Sequence, residues 1–135
     1  MTSVLVIDDH PIVLQGCRRL LEDAGVISVL EAGDVAVGYE LFCRHRPDVV
    51  VVDLAMGENG LEGLSLIERI HSHHPQAHIL VLSMHRDPII VARALRAGAS
   101  GYIVKDAAIE DLPNAIQTIQ EGNSYLSQDL ALEVA

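Results

Sequence analysis

The chain has no tryptophan, one phenylalanine and three tyrosines among its 135 residues. Its core must therefore be aliphatic, and a stacked aromatic cofactor would find few partners. Cysteines number two, Cys17 and Cys43. That is no disulfide framework, and a domain of this length needs none. Both fall in expected helices and read as reduced, half-buried small hydrophobes. Cations are outnumbered: 9 Lys and Arg stand against 19 Asp and Glu, for a formal net charge of −10. No basic footprint for nucleic acid exists, and phosphates would be repelled unless something local offsets the charge. The sequence also lacks an apolar run long enough to span a membrane, a signal peptide, an internal repeat and any low-complexity stretch. These absences leave a single acidic domain expected in the cytoplasm, with no membrane partner.

What is present is a regular alternation. Short apolar runs, "SVLVI", "VISVLEAG", "DVVVVD", "HILVLS" and "GYIVK", read as five strands. Between and after them lie helical patterns. They begin at signals such as Pro11, Asp34 and Asp87–Pro88, and they stop at Gly25, Pro47, Pro75, Gly98 and Gly122. The last helix is expected over "IEDLPNAIQTIQEG", with Pro113 near its start. Strands 1, 3 and 4 are continuously apolar rather than alternating, as parallel strands covered on both faces are. The second is less apolar and suits an edge. The expected fold is α/β: a flavodoxin-like, doubly wound, five-stranded parallel sheet in the order 2-1-3-4-5, helices on both faces. The domain is expected over residues 1–122. Residues 123–135, with no strong pattern, are expected to form a tail or the start of a linker to an absent output domain.

Each apolar run ends in chemistry. Strand 1 ends in Asp8 and Asp9, strand 3 in Asp53, strand 4 in Ser83 and strand 5 in Lys105. Neighbouring strands lie roughly 4.8 Å apart, so three carboxylates converge. They cannot all stay ionised unless a cation joins them. Oxygen ligands at a wet rim suit Mg²⁺. A carboxylate there can attack phosphorus and become an acyl phosphate. Phosphoryl transfer asks mainly for positioning and charge neutralisation, which an ammonium and a hydroxyl help supply. Glycines after Asp53 permit a tight loop. Taken singly, these residues are ordinary turn, cap and surface positions; their agreement with the fold gives them weight.

The pattern resembles the receiver domains of two-component response regulators. The motifs are "VLVIDDHPIVLQGCRRLLE", "DVVVVDLAM", "GLEGL", "ILVLSMH", "ALRAGASGYIVKD" and "AIQTIQEGNSYLS". "DDHP" and "GASGYIVKD" look most similar to the NarL/FixJ-type subgroup, whose receivers precede a helix-turn-helix DNA-binding domain. The resemblance implies a phosphorylation-controlled signalling switch. Asp53 would accept a phosphoryl group from a histidine kinase and take part in its own phosphotransfer and dephosphorylation without being a conventional enzyme. It implies a Mg²⁺ site made by Asp9, Asp53 and the backbone carbonyl of Ala55, with Asp8 acting through water. Lys105 would pair with the phosphoryl group and Ser83 would bond it. Tyr102 would turn inward and remodel the face of helix 4, strand 5 and helix 5. Helices 1 and 5 and the helix 4 face, with apolar residues such as Ile89, are expected to serve homodimerisation on activation; the resemblance implies DNA binding only through the missing output domain, not by this chain alone.

One departure stands out. The family pattern after the phosphoacceptor, D-L-x-M-P-x-x-x-G, has a proline and one more residue than "DLAMGENG". That shortening motivates an alternative, a receiver-like interaction module working without phosphorylation. A flavin carrier is disfavoured by "DDHP", which would repel a phosphate. An aspartate-nucleophile phosphatase is disfavoured because Ala55 stands where a second carboxylate is wanted. "HSHHP" (His71, His73, His74) reads as a solvated helix end, and His10 and His85 as rim residues flanking the pocket.

Overall fold

The computed structural model describes residues 2–58, 60–105 and 109–127. Among the described residues the chain alternates β1 (Ser3–Ile7), α1 (Pro11–Asp23), β2 (Ser28–Ala32), α2 (Val35–His45), β3 (Val49–Asp53), α3 (Glu62–His73), β4 (Ile79–Ser83), α4 (Pro88–Ala97), β5 (Gly101–Val104), α5 (Leu112–Gln120) and β6 (Tyr125–Leu126). The sheet is parallel throughout, in the order β2-β1-β3-β4-β5-β6. This is the expected doubly wound sheet with one strand more.

The expected helix signals act as caps. The Asp34 side chain accepts from the Val37 amide at 2.8 Å and Asp87 accepts from Ile89 at 2.9 Å, each satisfying a first-turn donor. The last helix is shorter than expected. Ile109–Asp111 form a 3₁₀ turn, and α5 begins only at Leu112. Pro113 has no amide to donate backwards, so regular α hydrogen bonding starts beside it.

Continuous apolar strands are explained by two cores. Leu5, Ile7, Val50, Val52, Val81, Tyr102 and Val104 face α2, α3 and α4. On the other face Val4, Val6, Val49, Val51, Leu82 and Ile103 meet Cys17 and Leu21 of α1 and Leu112, Ile116 and Ile119 of α5. All five residues of β3 and of β4 are buried. Such burial on both faces fixes strand position, and with it whatever the strands carry at their ends. Cys17 belongs to this core, where burial pushes its thiol up to about 12, whereas Cys43 is exposed. The two are not alike, because α1 turns Cys17 onto the sheet and α2 turns Cys43 away.

β6 was not legible as a strand. Two residues cannot display a period, and the run is short of the four or more a strand pattern needs. The remainder of the expected tail, residues 128–135, and Asp106 lie outside the described residues. Among the described residues no helix is long and apolar enough to cross a membrane.

Candidate functional site

Register brings the strand ends together. Ile7 pairs with Val52, so Asp8 and Asp53 emerge side by side; Ser83 pairs with Val104, so Lys105 follows directly alongside. Asp8 and Asp53 are 1% and 3% exposed. Lys105 Nζ lies 3.0 Å from Asp8 Oδ2 and 3.4 Å from Asp53 Oδ2. The other Asp53 oxygen, Oδ1, accepts from the Ala55 amide at 3.2 Å. One oxygen of Asp53 is thus tethered to its own loop, and the other faces the ammonium. Burial, and next the neighbouring Asp8, push the Asp53 carboxyl above the ordinary carboxylate value; Lys105 works against both.

Asp9 stands at the rim, and His10 reaches inward from beside it. The His10 Nδ1 atom is 2.9 Å from Asp8 Oδ1, 3.0 Å from Asp9 Oδ1 and 3.9 Å from Asp53 Oδ2. The hydrogen bond and charge of Asp8, then Asp9, raise the His10 pKa. Position in sequence marked His10 as a rim residue. Its side chain is 65% exposed, as a rim position would be, and the β1–β3 register brings its ring nitrogen within 3.9 Å of all three carboxylates. One ligand atom from each of Asp8, Asp9, His10 and Asp53 lies within 4.8 Å of the others. Among the described residues no second such cluster exists, so the histidines of α3 and its end do not converge.

A divalent cation suits this donor set. Asp8 Oδ2 is buried and makes no hydrogen bond; its neighbour is the Lys105 ammonium, close but outside hydrogen-bonding geometry. Three carboxylates facing one ammonium leave negative charge over, and hard oxygen ligands beside water match Mg²⁺.

The loop that departs from the family pattern is closed by glycines. Gly57 and Gly60 have φ of +86° and +69°, and the Gly57 carbonyl accepts from the Gly60 amide at 3.3 Å. The Glu62 amide, first in α3, donates to the Met56 carbonyl at 3.1 Å. Proline is locked near φ −65°. At the place where the family pattern has a proline, this chain has a glycine in a left-handed conformation that proline could not adopt. Gly57→Pro is expected to destabilise the protein by about 1 kcal/mol or more, read from the urea midpoint at unchanged m-value.

Ser83 and Tyr102 form the other wall. The Ser83 Oγ, fully buried, accepts from the His85 amide at 3.1 Å, and the Tyr102 hydroxyl donates to the His85 carbonyl at 2.9 Å. Tyr102 is 0% exposed. The inward ring expected to follow phosphorylation is already present. Burial raises the Tyr102 hydroxyl pKa, which keeps it a donor. His85 acts here through its backbone, which no side-chain pattern could have flagged.

Comparison with known proteins agrees with this geometry. A family model described as "Response regulator receiver domain" matches residues 4–117. The methanol utilization control regulatory protein MoxX of Paracoccus denitrificans is 36% identical over 133 residues, covering 98% of this chain and 60% of that protein. The chain spans about three fifths of the length of the curated relatives it matches. Among solved structures, a LuxR-family two-component response regulator from Aurantimonas sp. SI85-9A1 superposes with a TM-score of 0.91 at 36% identity, covering 99% of this chain and 95% of that one. The isolated receiver of RcsB from Salmonella enterica serovar Typhimurium, with the phosphomimetic BeF₃⁻, gives 0.88 at 31% identity over 99% of both chains.

Proposed function

We propose, for a chain that belongs to the response regulator receiver domain family, that Asp53 accepts a phosphoryl group from the phosphohistidine of a partner kinase and that its acceptance sets the state of the β4–β5 wall. The observation that carries this is the facing of Asp53 Oδ2 and Lys105 Nζ at 3.4 Å, beside Asp8, at the carboxyl end of a buried strand.

Asp9, Asp53 and the Ala55 carbonyl would hold Mg²⁺, with Asp8 acting through water. Bound there, the ion neutralises charge on the phosphoryl oxygens. The residues of the chain do the rest. The Ala55 amide holds Asp53 Oδ1, which orients the carboxylate. Oδ2 attacks phosphorus, an O–P bond forms, the P–N bond breaks, and the departing imidazole keeps the electron pair and takes a proton from solvent. Lys105 stands where it can neutralise a phosphoryl oxygen, and Ser83 can turn from the His85 amide to bond another. The shortened loop, which motivated a phosphorylation-independent module, retains the Asp53–Ala55 bond. That favours a working site over a retired one.

We place the protein in the cytoplasm, acting with a histidine kinase. It would pair with a second copy when phosphorylated and control a DNA-binding output domain beyond these residues. The test of the central step is incubation with acetyl phosphate and Mg²⁺ followed by intact mass. One added phosphoryl group, absent when the metal is chelated, is the expected result. No adduct, in a protein that binds Mg²⁺ by calorimetry, would count against Asp53 as an acceptor.

A further inference from the structure

β6 is the shortest strand of the sheet, and it is fastened to the switch residue. Tyr102 pairs with Leu126 across the β5–β6 ladder. The Tyr125 amide donates to the Ser100 carbonyl at 3.1 Å, and the Ser127 amide donates to the Tyr102 carbonyl at 3.3 Å. The Ser127 hydroxyl, in a side chain only 2% exposed, reaches the same carbonyl at 3.5 Å. Two further features fit this docking. A Cβ at Gly101 would lie 2.8 Å from the Tyr125 carbonyl oxygen, so only glycine lets β6 come this close. The Tyr125 hydroxyl donates to the Asp111 carboxylate, which ties β6 to the turn before α5.

Side chains of paired parallel residues lie on the same face. Leu126 accordingly packs into the cluster that contains Tyr102, while Tyr125 packs on the opposite face. The inward Tyr102 ring is therefore part of the surface on which Leu126 rests. Swinging the ring out would leave Leu126 without that neighbour and loosen a ladder only two residues long. The ring in turn is held by the carbonyl of His85, whose amide holds Ser83. A continuous chain of contacts runs from Ser83 to His85, Tyr102 and β6.

We propose that residues 125–127 are the receiving end of the switch: docked β6 goes with the inward Tyr102 ring, so phosphorylation of Asp53 tightens β6 and undocking β6 weakens the phosphorylated state. The inference rests on the phosphoacceptor reading above and adds to it a direction and an element. The chain that continues past residue 127 leaves from this strand, so its point of departure is fixed in one state and loose in the other. Linkage makes the effect reciprocal: whatever factor separates β6 docking between the two states must also separate phosphoryl-mimic affinity between docked and undocked protein.

Amide hydrogen exchange by NMR tests this on the whole chain, with and without Mg²⁺ and beryllofluoride. The Ser127 and Tyr125 amides are expected to slow by about tenfold on addition of the mimic, within the usual range of coupling between sites. Leu126→Ala, a change at the sheet edge, is expected to raise Ser127 exchange and weaken beryllofluoride binding by up to the same factor. Tyr102→Leu is expected to bring Ser127 close to unprotected exchange even without the mimic. A Ser127 amide that ignores the mimic while the Ala55 amide responds overturns the inference and leaves the phosphoacceptor reading standing. No response at either amide removes both. A Tyr102→Leu protein that keeps Ser127 protected overturns the inference on its own.

Discussion

Asp53→Asn takes up no phosphoryl group from acetyl phosphate and Mg²⁺, yet in metal-free buffer at neutral pH it unfolds at a higher temperature than the parent. The first half follows from chemistry, because an amide has no anionic oxygen to attack phosphorus. The second follows from burial. Asp53 is 3% exposed, and burial and Asp8 together raise its pKa against the opposing pull of Lys105. A carboxyl whose pKa is higher folded than unfolded holds its proton more tightly in the native state. Native stability then falls as pH rises past the ordinary carboxylate value and the deficit is complete above the folded value. The amide removes that deficit and keeps an oxygen for the Ala55 amide. A gain of about 0.5–2 kcal/mol is expected at pH 7, as for other substitutions that relieve functional-site strain. It should shrink as the buffer is acidified below the ordinary carboxylate range.

Mg²⁺ should reverse the order. A ligand that binds only the folded state adds stability as its concentration passes its Kd, about 2.7 kcal/mol at a hundredfold excess. The parent gains this and the variant, missing an anionic ligand, gains less. Circular-dichroism melts in chelator and in Mg²⁺ would show the two curves exchange places. A variant less stable than the parent in chelator would mean that the Lys105 attraction outweighs burial. Phosphoryl uptake by the variant would place the acceptor elsewhere.

The parts of this protein that could be read from sequence are those where one residue type answers one local demand. β1, β3 and β4 show as unbroken apolar runs because helices cover both their faces. Asp8, Asp53 and Lys105 are each ordinary where they stand, and show only because they end strands that the expected order places together. Asp34 and Asp87 show because a capping carboxylate acts within three residues of itself. What stayed hidden depends on partners distant in sequence. The place of the His10 ring needs the β1–β3 register. β6 is a strand only because β5 offers an edge with a glycine at the right place. The left-handed turn at Gly57 could be suspected from the absent proline, but its φ could not. Gly63 is the clearest case, since a glycine inside a helical pattern reads as a weak helix residue and nothing more.

Gly63→Ala tests what that glycine does. It lies in the first turn of α3, and a Cβ there would fall 2.2 Å from the Asp53 carbonyl oxygen and 2.4 Å from that of Leu54. Both are backbone atoms at the end of the strand that carries Asp53, so no side-chain rotation can relieve the clash. Either α3 or the end of β3 must move by roughly 1 Å. Overpacking of this kind costs about 1–3 kcal/mol, against about 1 kcal/mol that alanine contributes as a helix former. The larger effect is expected on chemistry, because a misplacement of about 1 Å in a reacting group can slow a reaction on the order of a hundredfold. Gly16→Ala is the matched control. Gly16 is also helical, and a Cβ there meets nothing within 4 Å, so that variant should be slightly more stable and phosphorylate at the parent rate. If Gly63→Ala loses stability yet phosphorylates at that same rate, α3 gives way and the strand end does not. Asp53 would then be positioned by β3 and its sheet neighbours alone. A slowed reaction with an intact fold would show that the acceptor's position is set from two sides, by the buried strand behind it and by the helix that closes on its carbonyl.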